Sequence, residues 1–161
     1  IKSRFTVENE EAVQSIQFIV DAIAGPALRI YPLYQQVLTG ENFNIYIYIE
    51  DVVDLGGLEL HLSYRPLKLS VGTITPGAIF SNSSFFLETI SSSDGTIELI
   101  STTADSPGYT GSGILTKLTF TAISTGSLDT LHINDSSILR TSLNVPIDIL
   151  DRVYGLIEVI E

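Results

Sequence analysis

Few side chains in this sequence are of the types and spacings that do chemistry. The two histidines, His61 and His132, stand apart, each at an alternating position expected to face outward. Two lone surface imidazoles of this kind are far more often solvated than catalytic or metal-bound. Two acid pairs, Asp51/Asp54 and Asp148/Asp151, resemble the carboxylate pairs of glycoside hydrolysis. Both fall at expected strand ends, where turn formation accounts for Asp directly. Calcium at such acidic turns would use hard oxygen ligands, but no twelve-residue calcium loop is present. There is no cysteine, which excludes disulfides and thiolate metal sites. No catalytic constellation, cofactor site or metal site is therefore expected, and the chain reads as a non-enzyme.

What remains is binding chemistry. Tyr46 and Tyr48 share the outer side of one strand and are the best candidates for a sugar platform, although Trp is absent. Cross-strand packing beneath another layer explains the same two tyrosines. A net charge of −11, from 19 acidic and 8 basic residues, opposes phosphate backbones and anionic membranes. It suits an exported protein in extracellular or cell-surface surroundings, a basic partner, or plain solubility. The sequons at Asn82 and Asn134 add slight weight to an extracellular location. No apolar run approaches the roughly 20 residues of a membrane-spanning helix. The chain holds no methionine, even at position 1, so it is processed or part of a longer product.

The elements that must position these residues are strands. At 161 residues and 44% hydrophobic content, the chain has enough apolar material for one domain with a full core. Phe43, Ile45, Ile47 and Ile49 alternate with Asn44, Tyr46, Tyr48 and Glu50, a period of two that fits a strand. Leu58, Leu60 and Leu62 then alternate with Glu59, His61 and Ser63, with Asp54-Leu55-Gly56-Gly57 expected to supply a bend between the two strands. Further strands are expected over Leu28–Tyr31, Leu67–Ile74, Phe85–Ile90, Thr96–Thr102, Leu115–Ala122, Leu128–Ile133, Ile147–Leu150 and Tyr154–Ile160. Ser93-Asp94-Gly95 marks a hairpin. The fold class is all-β: a two-sheet antiparallel β-sandwich of jelly-roll type, with about nine strands.

Residues 1–27 form an N-terminal extension outside that pattern. As a helix, Asn9 would cap it, Gly25-Pro26 would stop it, and Val13, Ile16, Val20 and Ile23 would line one stripe. As a strand, Ile16, Phe18, Val20 and Ala22 would alternate with Gln17, Ile19, Asp21 and Ile23. Both readings fit.

From Leu28 to the C-terminus, the order of features resembles a cohesin domain, the receptor module of cellulosomal scaffolds. Tyr34–Glu41 is similar to the family's first strand and turn. Leu55–Tyr64 resembles its third strand, whose closing Tyr-Asp-Pro reads Tyr64-Arg65-Pro66 here. The spacing of Leu69, Val71 and Ile74-Thr75-Pro76-Gly77, the stretch Gly111–Phe120 and the closing Gly155–Val159 follow the family's order. The resemblance implies a cohesin-like β-sandwich over residues 28–161 that binds a calcium-dependent dockerin on the outer face of the sheet holding the third strand. Carried over, Glu59, His61 and Ser63 lie on that face, with Glu98 and Ile100 beside them. Arg65 departs from the family's Asp, and Gly57 offers no side chain at the edge of the face.

Three functions follow as expectations. The first is a self-assembling structural subunit of a surface fibre or matrix. In it, residues 1–25, with Ile16, Phe18, Val20 and Ile23, add a donor strand to a neighbouring subunit, a head-to-tail contact that propagates as a filament. The second is a cohesin-type receptor for a dockerin-like partner. The third is a carbohydrate-binding module using Tyr46 and Tyr48.

Overall fold

The computed structural model describes residues 2–9, 12–19, 24–81, 85–103, 107–126 and 128–161; for the first two of these segments it describes the backbone path. Among the described residues, strands run in chain order as Lys2–Asn9 (β1), Ala12–Ile19 (β2), Ala27–Tyr31 (β3), Tyr34–Leu38 (β4), Asn42–Ser63 (β5), Leu69–Pro76 (β6) and Phe85–Ser91 (β7). Thr96–Thr102 (β8), Tyr109–Ala122 (β9), Asp129–Ile133 (β10), Ile138–Thr141 (β11), Pro146–Ile147 (β12), Asp151–Val153 (β13) and Gly155–Ile160 (β14) complete the set. One 3₁₀ turn, Ala78–Phe80, plugs Phe80 into the core.

The framework is β5. The alternation predicts two strands separated by a bend, but Asn42–Ser63 is one strand of 22 residues. Asp51 and Asp54 lie inside it, not at strand ends. Both adopt left-handed backbone angles, with φ of 52° and 58°. Asp tolerates that region better than most L residues, so the two positions act as bulges that re-aim the strand without ending it. The pairing with β9 slips at the same places, between Ile49 and Val52 and again between Val52 and Leu55. Ser112 Oγ accepts the Asp51 amide at 2.9 Å, and Thr110 Oγ1 accepts the Asp54 amide at 3.0 Å, so both bulged N–H groups are satisfied. The Asp54 carboxylate accepts the Gly108 N–H at 2.6 Å, and this bond leads in holding its pKa below the ordinary aspartate range.

The bulges let one strand serve both layers. The first half of β5 pairs with β3 and β9, and β9 pairs onward with β6. The second half pairs with β8, β10 and β11, and β8 pairs onward with β7. Ile45, Ile47 and Ile49 from one half and Leu58, Leu60 and Leu62 from the other enter a single buried cluster. Their inward faces therefore meet across one core, and the outward faces of the two halves point away from each other. Phe43, Tyr64 and Phe120 close one end of that cluster by ring contacts.

Among the described residues, the pairing is antiparallel except in two places. β4 runs parallel to β14, and β3 runs parallel to β13. Tyr34 and Gln36 on β4 both donate to the Glu158 carboxylate on β14, which ties the C-terminal strand to the start of the sandwich.

In the N-terminal extension, Ala12–Ile19 is a strand. It pairs antiparallel with Lys2–Asn9 as a two-stranded ribbon, a sheet of its own. Val20 and Ile23 lie outside the described residues, as does the sequon residue Asn82.

Candidate functional site

The second half of β5 sets the site. Alternation buries Leu58, Leu60 and Leu62 and turns Glu59, His61 and Ser63 outward, each partly exposed. The β8 register then places Ile100 opposite Glu59, Glu98 opposite His61 and Thr96 opposite Ser63. All five side chains expected to form the binding face thus share one surface. On the far side of β8, the β7 register adds Leu87 beside Ile100 and Thr89 beside Glu98. On the other flank, Ile138 of β11 lies opposite Glu59 and His132 of β10 lies opposite Ser63.

The flank depends on a handover. Between β10 and β11 the backbone groups of His61 would be left open. Asn134 N–H donates to the His61 carbonyl at 2.8 Å, and the Ser137 hydroxyl accepts the His61 amide at 3.0 Å. Ser63 Oγ also donates to Asn134 Oδ1 at 3.1 Å. The Ser/Asn-rich stretch therefore keeps β5 rigid behind the candidate site. It also places the sequon residue Asn134 at the edge of this face.

The chemistry of the face is mixed. Ile138, Ile100 and Leu87 span the sheet as an apolar row crossing Glu59, and Phe85 extends it, with Phe85 and Leu87 each nearly half exposed. Beside the row, His61 Nε2 lies 3.0 Å from Glu59 Oε1. Glu59, His61 and Glu98 can each bring a ligand atom within 4.8 Å of the others. A histidine nitrogen with two carboxylates is a donor set that a borderline divalent metal accepts. The Glu59 pairing accounts for the imidazole without one. Leu87, Phe85 and Ile138 carry no sign of this role in the sequence. The first two sit in the run Phe85-Phe86-Leu87, which is apolar on both faces, and Ile138 is hidden by the polar residues before it.

At one end of the face, Arg65 has a local use. Its Nε lies 3.4 Å from Asp129 Oδ1, and Asp129 is only 2% exposed. Burial raises the Asp129 pKa, opposed by the Thr130 N–H and by Arg65. Among the described residues, Asp129 Oδ2 has no hydrogen-bond partner. The residue that departs from the family's Asp thus faces a buried acid.

Tyr46 and Tyr48 occupy the opposite outer surface. With Tyr31, Arg29, Glu50 and Ile114 they line a groove of about 510 Å³. Arg29 and Glu50 close one end through a 3.0 Å ion pair. Of the assembly segment, Ile16 lies opposite Phe5 and Phe18 opposite Ser3 in the ribbon register. Asp148 follows β12 and Asp151 opens β13, so both sit at strand ends, and Asp151 Oδ1 accepts its neighbour's N–H at 2.7 Å.

Comparison with known proteins agrees with this architecture. The cohesin domain family model matches residues 35–149. Among solved structures, a non-cellulosomal cohesin from the archaeon Archaeoglobus fulgidus aligns with a TM-score of 0.71 at 18% identity, covering 84% of this chain and 91% of that one. A type II cohesin domain from Acetivibrio cellulolyticus aligns at 0.71 and 13% identity, covering 81% and 94%. A type I cohesin–dockerin complex from Clostridium thermocellum, Coh-OlpA-Doc918, aligns at 0.70 and 13% identity, covering 83% and 99%. Comparison with curated proteins by sequence returns no match.

Proposed function

Because the chain belongs to the cohesin family, we propose that it is a non-catalytic receptor module that captures a dockerin-like domain on the outer face of β10/β11–β5–β8–β7. The observation that carries this reading is the face itself. Glu59, His61, Ser63, Glu98 and Ile100 converge there, next to an apolar row partly open to solvent. An apolar centre with a polar rim is the anatomy of a protein-binding patch. The solved structures with the same fold include cohesins bound to dockerins. Extracellular or cell-surface display fits the acidic surface. Among the described residues, no helix is long and apolar enough to cross a membrane. The test is titration against a panel of calcium-loaded dockerin domains by calorimetry. Saturable one-to-one binding supports the reading, and no binding to any of them removes it.

A second reading is a self-assembling fibre subunit. The observation favouring it is that residues 2–19 form a ribbon whose two strands pair with each other and with no strand of the sandwich. Each ribbon strand therefore keeps one edge to offer a neighbouring copy. Deleting residues 1–25 should abolish fibres seen by electron microscopy; fibres formed by the truncated protein would remove the donor role.

A further inference from the structure

We infer that the tyrosine groove is the dock for this chain's own N-terminal ribbon. This inference is independent of partner capture, which uses the opposite surface.

The ribbon register sorts its residues sharply. One set of alternating positions holds Ser3, Phe5, Val7 and Asn9 on β1 and Phe18, Ile16, Gln14 and Ala12 on β2. The other set holds Lys2, Arg4, Thr6 and Glu8 against Ile19, Gln17, Ser15 and Val13. One face of the ribbon is thus mainly apolar, and the other mainly polar and charged. A two-stranded ribbon in water is marginal by itself, and stability comes from packing one face on a further layer. It needs a second layer.

The sandwich offers that layer where the chain enters it. Gly25 is pressed against the rim of the groove: a Cβ there would lie 2.5 Å from Asp51 Cβ and from the Glu50 carbonyl oxygen. Glu50 is itself a wall of the groove, and β3, which follows at once, supplies Arg29 and Tyr31. Residues 20–26 join the ribbon to β3 and reach at most about 24 Å when extended. A tether this short holds the ribbon near the groove at an effective concentration on the order of millimolar. The surface it meets is right for the purpose. Tyr31 is 59% exposed and Tyr46 and Tyr48 are half-buried, so their rings form a broad apolar floor with hydroxyls at its edge. Arg29, beside Tyr48, and Lys117, beside Tyr46, give that floor basic neighbours on the same sheet.

The experiment is amide hydrogen exchange on the full chain, comparing wild type with Tyr46→Asp/Tyr48→Asp and with Phe5→Asp/Phe18→Asp. The second variant leaves the sandwich untouched. Amides of residues 2–19 should exchange about tenfold or more faster in both variants, while Leu60 and Leu62 amides stay protected as the folding control. Protection in the wild type should not change on dilution. Equal ribbon exchange in wild type and variants overturns the dock. Protection that falls on dilution assigns the groove to the ribbon of a second copy and overturns the assignment to the same chain.

Discussion

Ile100→Asp is the sharpest probe of the candidate binding face. Ile100 is central in the apolar row, flanked by Glu59 on β5 and Leu87 on β7. Its side chain points away from the core, so the fold loses little. Full burial of an isoleucine is worth about 1.5–3 kcal/mol, and this one is only partly buried. A folding cost of about 1 kcal/mol follows, or roughly 2–4 °C in Tm for a domain of this size. Binding should suffer far more. A partner seated on the row must bury the new carboxylate close to Glu59 and Glu98. Losing a central anchor costs about 2 kcal/mol or more, roughly thirtyfold in Kd, before the buried charge is counted. The assay is calorimetric titration with a dockerin domain that binds the wild type, with thermal unfolding measured in parallel. Tyr48→Asp, on the opposite outer surface, is the control and should leave Kd within about twofold. Wild-type affinity in Ile100→Asp, or a large loss in Tyr48→Asp, would refute the placement of the site.

Two further predictions concern the scaffold. Gly95 turns the β7–β8 hairpin at φ 68°, and an added Cβ would meet the Tyr64 carbonyl oxygen and lie 2.7 Å from Pro66 Cδ. Gly95→Ala should therefore lower stability by about 2 kcal/mol or more in a urea unfolding titration, from left-handed strain plus the clash; a loss below about 0.5 kcal/mol would contradict the tight turn. Asp129 has a raised folded-state pKa because burial outweighs its partners, so its contribution is fully present below the ordinary aspartate pKa and is lost as pH climbs through the folded value. The Tm of Asp129→Asn relative to wild type should accordingly rise as pH climbs above the ordinary aspartate pKa, and a flat difference would show that Arg65 fully compensates the burial.

Much of this was legible in the sequence where the signal is local. Alternation at Phe43–Glu50 and Leu58–Ser63 marks both halves of β5, and Ser93-Asp94-Gly95 marks the β7–β8 hairpin that the structure builds. The same alternation turns Glu59, His61 and Ser63 outward, and adding β8 brings in Glu98 and Ile100. The continuity of β5 was not legible. Asp51, Asp54 and Gly56-Gly57 are ordinary turn residues, and only the hydrogen bonds that the Asp51 and Asp54 amides donate to Ser112 and Thr110 and that Asp54 accepts from Gly108, more than fifty positions away, turn a break into a bulge. The parallel pairing of β4 with β14 joins the two ends of the sandwich, so neither strand carries a sign of the other. β11 is short and follows Asn134-Asp135-Ser136-Ser137, a run that reads as loop until Ser137 and Asn134 are seen serving His61. In the same way, the use of Arg65 depends on Asp129, which the chain reaches only at β10.

The most direct measurement of the central claim is residue-level mapping of a bound dockerin domain by NMR on isotope-labelled full chain. Shift changes should concentrate on Glu59, His61, Ser63, Glu98, Ile100, Leu87 and Ile138, and Tyr31, Tyr46 and Tyr48 should stay still. Changes centred on the tyrosine groove, with the β5–β8–β7 face silent, would contradict the account.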